Sequence, residues 1–431
     1  MGFRRLQFVP AVMFVCLAGA LHAQEITGNW QGTVDVGAKL RVILQIAKRD
    51  DGTLRGSLYS IDQFPEPIPV TALSFANPTL KFTVDPLHIS YEGKLASDGK
   101  TVTGTLTQDK AVPLTLERPT PETAWKIDTS PHTVQMIPVD KGVKLEVLDW
   151  GGIGRPLVLL TGLGDTAHAF DQFAPKLTAN YHVYGITRRG FGASSAPEPD
   201  ATNYTAGRLG EDVLAVIDAL HLNKPVVAGH SVAGEELSYI GVHHPEKVAG
   251  LIYIDAGYPY ALYDEVNGAL MMDAVELRKQ LSVLSGNFPA DPQKYMDDLI
   301  ANLQRVEKEV AQQKQDIEGI PPPPPGNRAM PPIPMAIRSG QERFTTFHVP
   351  ALVIFADPHD FGGAMKDNPK ARAAMQAAND RDTERQAVAF ERQVPSAHVV
   401  RIPNASHYVF RSNEADVLRE MNAFISTLPA Q

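Results

Sequence analysis

The sequence predicts two folded parts in one chain: a small all-β domain, then an α/β domain whose mostly parallel sheet is covered by helices and interrupted by a helical cap. Three observations predict this. Residues 25 to about 118 alternate apolar and polar side chains with period two between turn signals. From about residue 131, short apolar runs alternate with stretches of helical period, the pattern of a parallel sheet with both faces covered. About ninety residues separate the strand ending near Ala256 from the one starting near Pro350, far more than a crossover needs.

The first residues, "MGFRRLQFVPAVMFVCLAGALHAQ", place Arg4 and Arg5 ahead of an apolar run that closes on small residues. This is the layout of an export signal, expected over residues 1–23, with cleavage after Ala23 or Ala20. The apolar run is shorter than the roughly 20 residues of a spanning helix, so stable membrane insertion is not expected. Removing the two arginines moves the formal charge from −9 to −11. The only cysteine, Cys16, lies inside this segment, so the mature chain is expected to carry no disulfide, thiolate nucleophile or cysteine metal ligand. The 431 residues bury a sizeable core, and 43% hydrophobic with 21% charged residues fits a globular, water-soluble chain. An acidic balance with no basic aromatic patch argues against nucleic-acid binding.

The β domain, expected over 24–118, is read from seven runs, among them "NWQGTVDV", "LRVILQIA", "TLRGSLYS" and "TVTGTLTQ", which would close a small barrel or sandwich. Trp30, Tyr59 and Tyr91 are candidates for ligand contact or, more simply, for its core. A linker at 119–130, "TPETAWKID" within it, is rich in turn formers.

The α/β domain is expected over 131–429. "VKLEVLDW", "RPLVLLTG", "YHVYGI", "KPVVAGH", "GLIYIDAG", "ALVIFADP" and "HVVRIPNA" read as strands, and "HAFDQFAPKL" as a helix. Leu209, Val213, Val216, Ile217 and Leu220 form one helical stripe, and Val417, Met421, Phe424 and Leu428 another. The cap is expected at about 258–348. Within it Leu299, Leu303, Val306 and Val310 predict a helix packing into the cap rather than a dimerising coiled coil, and "PPPPPGNRAMPPIP" predicts an extended connector.

Chemistry is suggested by "VVAGHSVAGEELSY". Ser231 stands where a buried strand turns into a helix, with Gly229 two residues before and Ala233 two residues after, small residues that a sharp elbow requires. At a helix start, free N–H groups and the dipole stabilise negative charge. Acyl transfer through serine also needs a base, an acid to orient that base, and two oxyanion donors. Asp360 follows the strand "ALVIFA", and His407 follows "HVVRI", giving the order serine, acid, histidine along successive strands. Asp357, three residues nearer the strand, is the alternative acid.

With "LVLLTGLGDTAHAFDQFAPKL", "YGITRRGFGASSAP" and "PNASHYVF" added, residues 131–429 resemble the α/β-hydrolase superfamily, which shares this residue order and nucleophile elbow. The resemblance implies Ser231 as nucleophile, His407 as general base and then acid, Asp360 as the orienting acid, and the backbone N–H groups of Val232 and Leu163 as the oxyanion hole. The chain departs from the usual pattern at Ala233, at Thr161 where histidine is common, and at Thr187 where aspartate is common. Gly190 and Gly192 read as turn glycines, not a phosphate cradle. His230 and Tyr258 are expected to line the pocket or support it, with Tyr260 and Tyr263 as further pocket or packing candidates. Glu235 and Glu236 suit the start of the helix, and His243 with His244 suits its end, not a metal. No metal and no cofactor are expected. The β domain resembles small β domains that precede hydrolase domains in some exported bacterial proteins.

The resulting expectation is an exported, periplasmic or secreted, serine hydrolase of carboxylic esters with a small to medium acyl substrate. Amide, lactone and thioester hydrolysis and perhydrolase or haloperoxidase chemistry use the same serine. Relatives that open epoxides or remove halides use a carboxylate at the position of Ser231, which disfavours those reactions. The alternative from another class is a ligand-binding protein that retains the scaffold without catalysis.

Overall fold

A computed structural model describes residues 25–430 apart from 36–38, 50–51, 62–63, 109, 127–129, 201, 285, 287–288, 319–329 and 363–367. The expected export signal and most of the Pro-rich connector lie outside the described residues. The chain divides into two compact units, Met1–Thr129 and Ser130–Gln431. Among the described residues no helix is long and apolar enough to cross a membrane.

The first unit is one antiparallel sheet of nine strands: β1 (Gly28–Asp35), β2 (Lys39–Lys48), β3 (Leu54–Ser60), β4 (Phe64–Pro69), β5 (Ala72–Ala76), β6 (Thr79–Val84), β7 (Ile89–Leu95), β8 (Thr101–Thr107) and β9 (Ala111–Glu117). They lie in the order β4-β3-β2-β1-β9-β8-β7-β6-β5. Period-two burial puts Leu80, Phe82 and Val84 of β6 and Tyr91 and Leu95 of β7 into one core. β4 and β5 are strands that the alternation pattern did not reveal. β4 reads "FPEPIP", and its prolines, lacking N–H donors, are tolerated because it lies at a sheet edge. Trp30 is fully buried, its indole N–H donating to the Ile26 carbonyl at 2.8 Å. The Tyr91 hydroxyl donates to the carbonyls of Val102 and Leu114. Both aromatics are core residues.

The second unit is built on eight strands: β10 (Thr133–Asp140), β11 (Val143–Gly151), β12 (Arg155–Leu160), β13 (Tyr181–Ile186), β14 (Val226–His230), β15 (Gly250–Ile254), β16 (Ala351–Ala356) and β17 (Ala397–Ile402). Their order is β10-β11-β13-β12-β14-β15-β16-β17. The pairs from β13–β12 to β16–β17 are parallel, and β10–β11 and β11–β13 are antiparallel. Every residue of β14, β15 and β16 is buried, as strands covered on both faces require. One face is covered by α1 (Ala206–Ala219) and α2 (Gly234–His243), the other by α8 (Glu414–Thr427). Thr205 caps α1 by accepting from the Arg208 N–H.

The cap between β15 and β16 contains α3 (Leu270–Val283), α4 (Pro292–Asp316) and α5 (Pro332–Ser339). Of the expected apolar stripe on α4, Leu299 is buried but Leu303 and Val310 are exposed. The helix meets α3 through polar groups instead: the Asn302 amide donates to the Asp273 carbonyl and to Gln280, each at 3.2 Å. "HAFDQFAPKL" forms two short 3₁₀ turns, Ala167–Phe170 and Ala174–Lys176, because Pro175 lacks the N–H that a continuous helix would use. A further helix that the apolar pattern did not announce, α6 (Pro369–Gln393), joins β16 to β17, and α7 (Val409–Ser412) precedes α8.

Candidate active site

β14 delivers Ser231 to the end of the sheet in a left-handed conformation, φ 53°, which an L side chain adopts only where its surroundings impose it. The chain then enters a 3₁₀ turn, Ser231–Ala233, that runs into α2. The tight constraint of the elbow falls on Gly234, where a Cβ would stand 2.1 Å from the Ala256 carbonyl oxygen. Ala233, by contrast, is fully buried and fits.

The Ser231 hydroxyl lies 2.9 Å from His407 Nε2, and His407 Nδ1 lies 2.7 Å from Asp255 Oδ2. Asp255 takes the place expected of Asp360. β14 and β15 pair so that His230 lies opposite Ile254, and the next residue of each strand is Ser231 or Asp255, both with positive φ. The carboxylate partner of His407 therefore comes from the strand beside the one that carries Ser231, and the chain order serine, carboxylate, histidine is kept. Asp255 is 2% exposed; Oδ1 accepts from the Ala356 N–H at 3.1 Å, and Oδ2 also accepts from the Tyr258 hydroxyl at 3.1 Å.

Asp360 projects outward, its carboxylate accepting from the Gly362 N–H at 2.8 Å and lying 3.9 Å from Arg372. Its backbone N–H donates to the Ala405 carbonyl at 2.8 Å, so this loop braces the histidine loop by its main chain. Asp357, the alternative acid, is not the carboxylate that His407 meets, since His407 Nδ1 lies against Asp255. Burial, with Asp380 and Glu384 nearby, raises its pKa.

His230 is buried beneath His407, ring centroids 4.6 Å apart, and its Nε2–H donates to the His407 carbonyl at 2.9 Å. Burial, reinforced by the neighbouring His407, lowers its pKa to about 3, so it is neutral. It supports the main chain of His407. Tyr258 braces Asp255 and stands edge-on to His407. Tyr260 is half-buried against Tyr258, ring centroids 5.7 Å apart, and desolvation drives its pKa above the ordinary value. Tyr263 faces the cap, where its hydroxyl donates to Asp273 at 2.7 Å.

The loop bearing Leu163 is held by Arg188, which the sequence did not single out, paired with Glu236. The Arg188 guanidinium donates to the carbonyls of Thr161 (2.8 Å) and Gly162 (3.1 Å), and forks onto both oxygens of Glu236 at 2.7 Å. Arg188 is 4% exposed and Glu236 3%, so this is a buried pair that ties the loop to α2. Gly162 suits this close approach, because a Cβ would stand 2.9 Å from His230 Nδ1 and 3.0 Å from Asp165 Oδ2 and push these side chains aside. Leu163 packs in one apolar cluster with Val232. Thr187, in place of the common aspartate, donates to Glu146 at 2.7 Å and accepts from the Ala167 N–H. Glu235 is wholly buried, and burial with adjacent Glu236 pushes its pKa well up. His244 pairs with Glu211 at 3.1 Å, and His243 packs at a tilt of 44° on Tyr239.

Residues 157–420 match the sequence profile described as the alpha/beta hydrolase family. A protein of Caulobacter segnis described as a carbamate hydrolase is 31% identical over 26% of this chain and 43% of its own length. The pyrethroid hydrolase of Sphingobium wenxiniae is 28% identical over 31% of this chain and 56% of its own. Epoxide hydrolase 4 of Mus musculus is 29% identical over 28% of this chain and 33% of its own. The chain thus spans about half the length, or less, of these curated relatives. With the profile match covering more than half of the sequence, the chain belongs to the alpha/beta hydrolase family.

Proposed function

We propose that this chain is a serine hydrolase that cleaves carboxylic esters through an acyl-enzyme on Ser231. The observation that carries the reading is the unbroken relay from Ser231 Oγ through His407 to buried Asp255. In the first half-reaction His407 Nε2 takes the hydroxyl proton as Oγ attacks the carbonyl carbon, and the oxyanion is received by the N–H groups of Val232 and Leu163. His407 then gives that proton to the departing alkoxide. In the second half, His407 takes a proton from water, whose oxygen attacks the acyl carbon, and returns it to Ser231 as the acid leaves. Asp255 holds His407 with Nδ1 as donor and stabilises the imidazolium. Relatives named for carbamate and pyrethroid hydrolysis support a hydrolytic reaction at this site.

Serine in the elbow, where the epoxide-opening branch of the family uses a carboxylate, favours acyl transfer over epoxide opening. The substrate class proposed is a small to medium ester with an apolar acyl part, taken up beneath the cap. On the apolar leader at residues 1–23 we also propose that the enzyme acts after export. The reading is tested with a fluorophosphonate probe and peptide mapping of the adduct. Rapid labelling confined to Ser231, and lost in Ser231→Ala and His407→Ala, is the expected result. A folded protein that neither labels nor hydrolyses short and medium aryl esters would overturn it.

A further inference from the structure

Apart from the Ser231 site, a second cluster of ligand-type side chains lies in the same unit. His132 precedes β10, His168 sits in the first 3₁₀ turn after β12, and Asp171 follows that turn. One ligand atom from each lies within 4.8 Å of the others. Asp171 Oδ1 is 3.1 Å from His132 Nδ1, and Oδ2 is 2.9 Å from His168 Nδ1. The Asp171 side chain is 2% exposed and that of His132 6%, while His168 keeps 23% of its side chain open to solvent.

We propose that His132, His168 and Asp171 form a structural binding site for a divalent cation of the zinc type. His132 and His168 would ligate through Nδ1 and Asp171 through one carboxylate oxygen, with water on the open side of His168. Two imidazoles and a carboxylate are a borderline-soft donor set, suited to zinc rather than to calcium or magnesium. Bonds of about 2.0–2.1 Å in a tetrahedron separate ligand atoms by roughly 3.4 Å. The 2.9 and 3.1 Å contacts run to different oxygens of Asp171, and one ligand atom from each residue lies within 4.8 Å of the others, so binding requires the side chains to shift until one carboxylate oxygen and both imidazoles reach that spacing.

The surroundings supply what a metal ligand needs behind it. With Nδ1 of His168 on the metal, Nε2 faces Glu146 Oε1 at 3.9 Å, and Glu146 is itself fixed by the Thr187 hydroxyl at 2.7 Å. At that distance Glu146 is an electrostatic neighbour of the ring, and a shift of about 1 Å would make it the carboxylate that orients a metal-bound histidine. Asp171 is anchored through its main chain: its carbonyl accepts from the Ser130 hydroxyl at 3.3 Å, and the Ser130 oxygen accepts from the Trp150 indole at 2.7 Å. Without metal, the Asp171 carboxylate lies directly against both imidazoles. A bound cation would replace those direct contacts, and stoichiometric metal content tells the two states apart. A bound cation would tie the segment leading into β10 to the turn that follows the Leu163 loop.

The test uses the purified full chain, stripped with EDTA and desalted, then given zinc chloride alone and desalted again. Metal is counted by mass spectrometry and unfolding is followed thermally. The expected result is about one zinc per chain with a midpoint raised by several degrees, as binding to the native state alone requires. In His168→Ala and in Asp171→Asn, retained zinc should fall to about a tenth of that or less, as loss of a ligand from a three-ligand site implies. His132→Gln serves if Asp171→Asn fails to fold. His407→Ala and His244→Gln should keep the full amount. Zinc retained by wild type no better than by His168→Ala, or lost on replacing His407 instead, overturns the proposal.

Discussion

At the level of single residues, the acid of the relay is the sharpest issue. Asp255 and Asp360 each follow an apolar strand, and only the register of β14 against β15 puts one of them beside Ser231. Asp255→Asn should lower kcat/KM by about 10⁴-fold, because an amide holds the wrong imidazole tautomer. Asp360→Asn and Asp357→Asn should each change it by less than about twofold, since neither carboxylate reaches the chemistry. Ester kinetics on the three variants decide this, and a large loss at position 360 would return the role to that loop.

His230 makes a second prediction at this scale, one about pH. Its folded-state pKa, about 3, lies below the ordinary 6.5, chiefly through burial. A depressed pKa means that the unfolded chain takes up the proton first. Its contribution to stability is therefore complete above pH 6.5 and is lost progressively as pH falls toward 3. At pH 5 the loss should be about 2 kcal/mol. Urea unfolding of wild type and His230→Asn between pH 7.5 and 5 checks it, the variant showing the shallower fall.

Among elements, the junction between α2 and the Leu163 loop carries the most consequence. Arg188 makes four hydrogen bonds there, two to loop carbonyls and two to Glu236. Lysine keeps the charge but not the planar fork. Arg188→Lys should therefore lower kcat by about ten- to a hundredfold with little change in KM, because a displaced oxyanion donor is felt mainly in the transition state. The elbow offers a paired comparison. Gly234→Ala drives a methyl against the Ala256 carbonyl and should destabilise by roughly 1–3 kcal/mol. Ala233→Gly removes only a packed methyl and some helix propensity, about 1 kcal/mol, and should still label with the probe. Thermal midpoints and labelling rates read both.

For the whole molecule, each compact unit has its own hydrophobic core. Ser231, His407, Asp255, His230, Tyr258 and the Arg188–Glu236 pair all lie in the second. A truncation beginning at Ser130 should label at Ser231 within about threefold of the full chain's rate, since no part of the relay or its bracing is lost. A truncation that folds, by circular dichroism and thermal melting, but does not label would assign the β domain a part in catalysis.

Local pattern determined much of this by itself. Period-two runs gave the strands of the first unit, and the change to alternating apolar runs and helical stripes gave the second. The small residues around Ser231 gave the elbow, and His407 followed from a loop at a strand end. These are near-neighbour properties, legible along a few turns or one strand. Strand β4 was obscured because proline at an edge carries no alternation signal, and the packing of α4 was only partly legible because it buries polar Asn302 beside Leu299 while Leu303 and Val310 are exposed. The tertiary structure alone decided which of several strand-end aspartates meets His407, that Arg188 pairs with Glu236 across 48 positions of sequence, and that Thr161 is braced through its carbonyl. Each depends on strand order, register or burial, and these bring residues together without leaving any mark in the spacing between them.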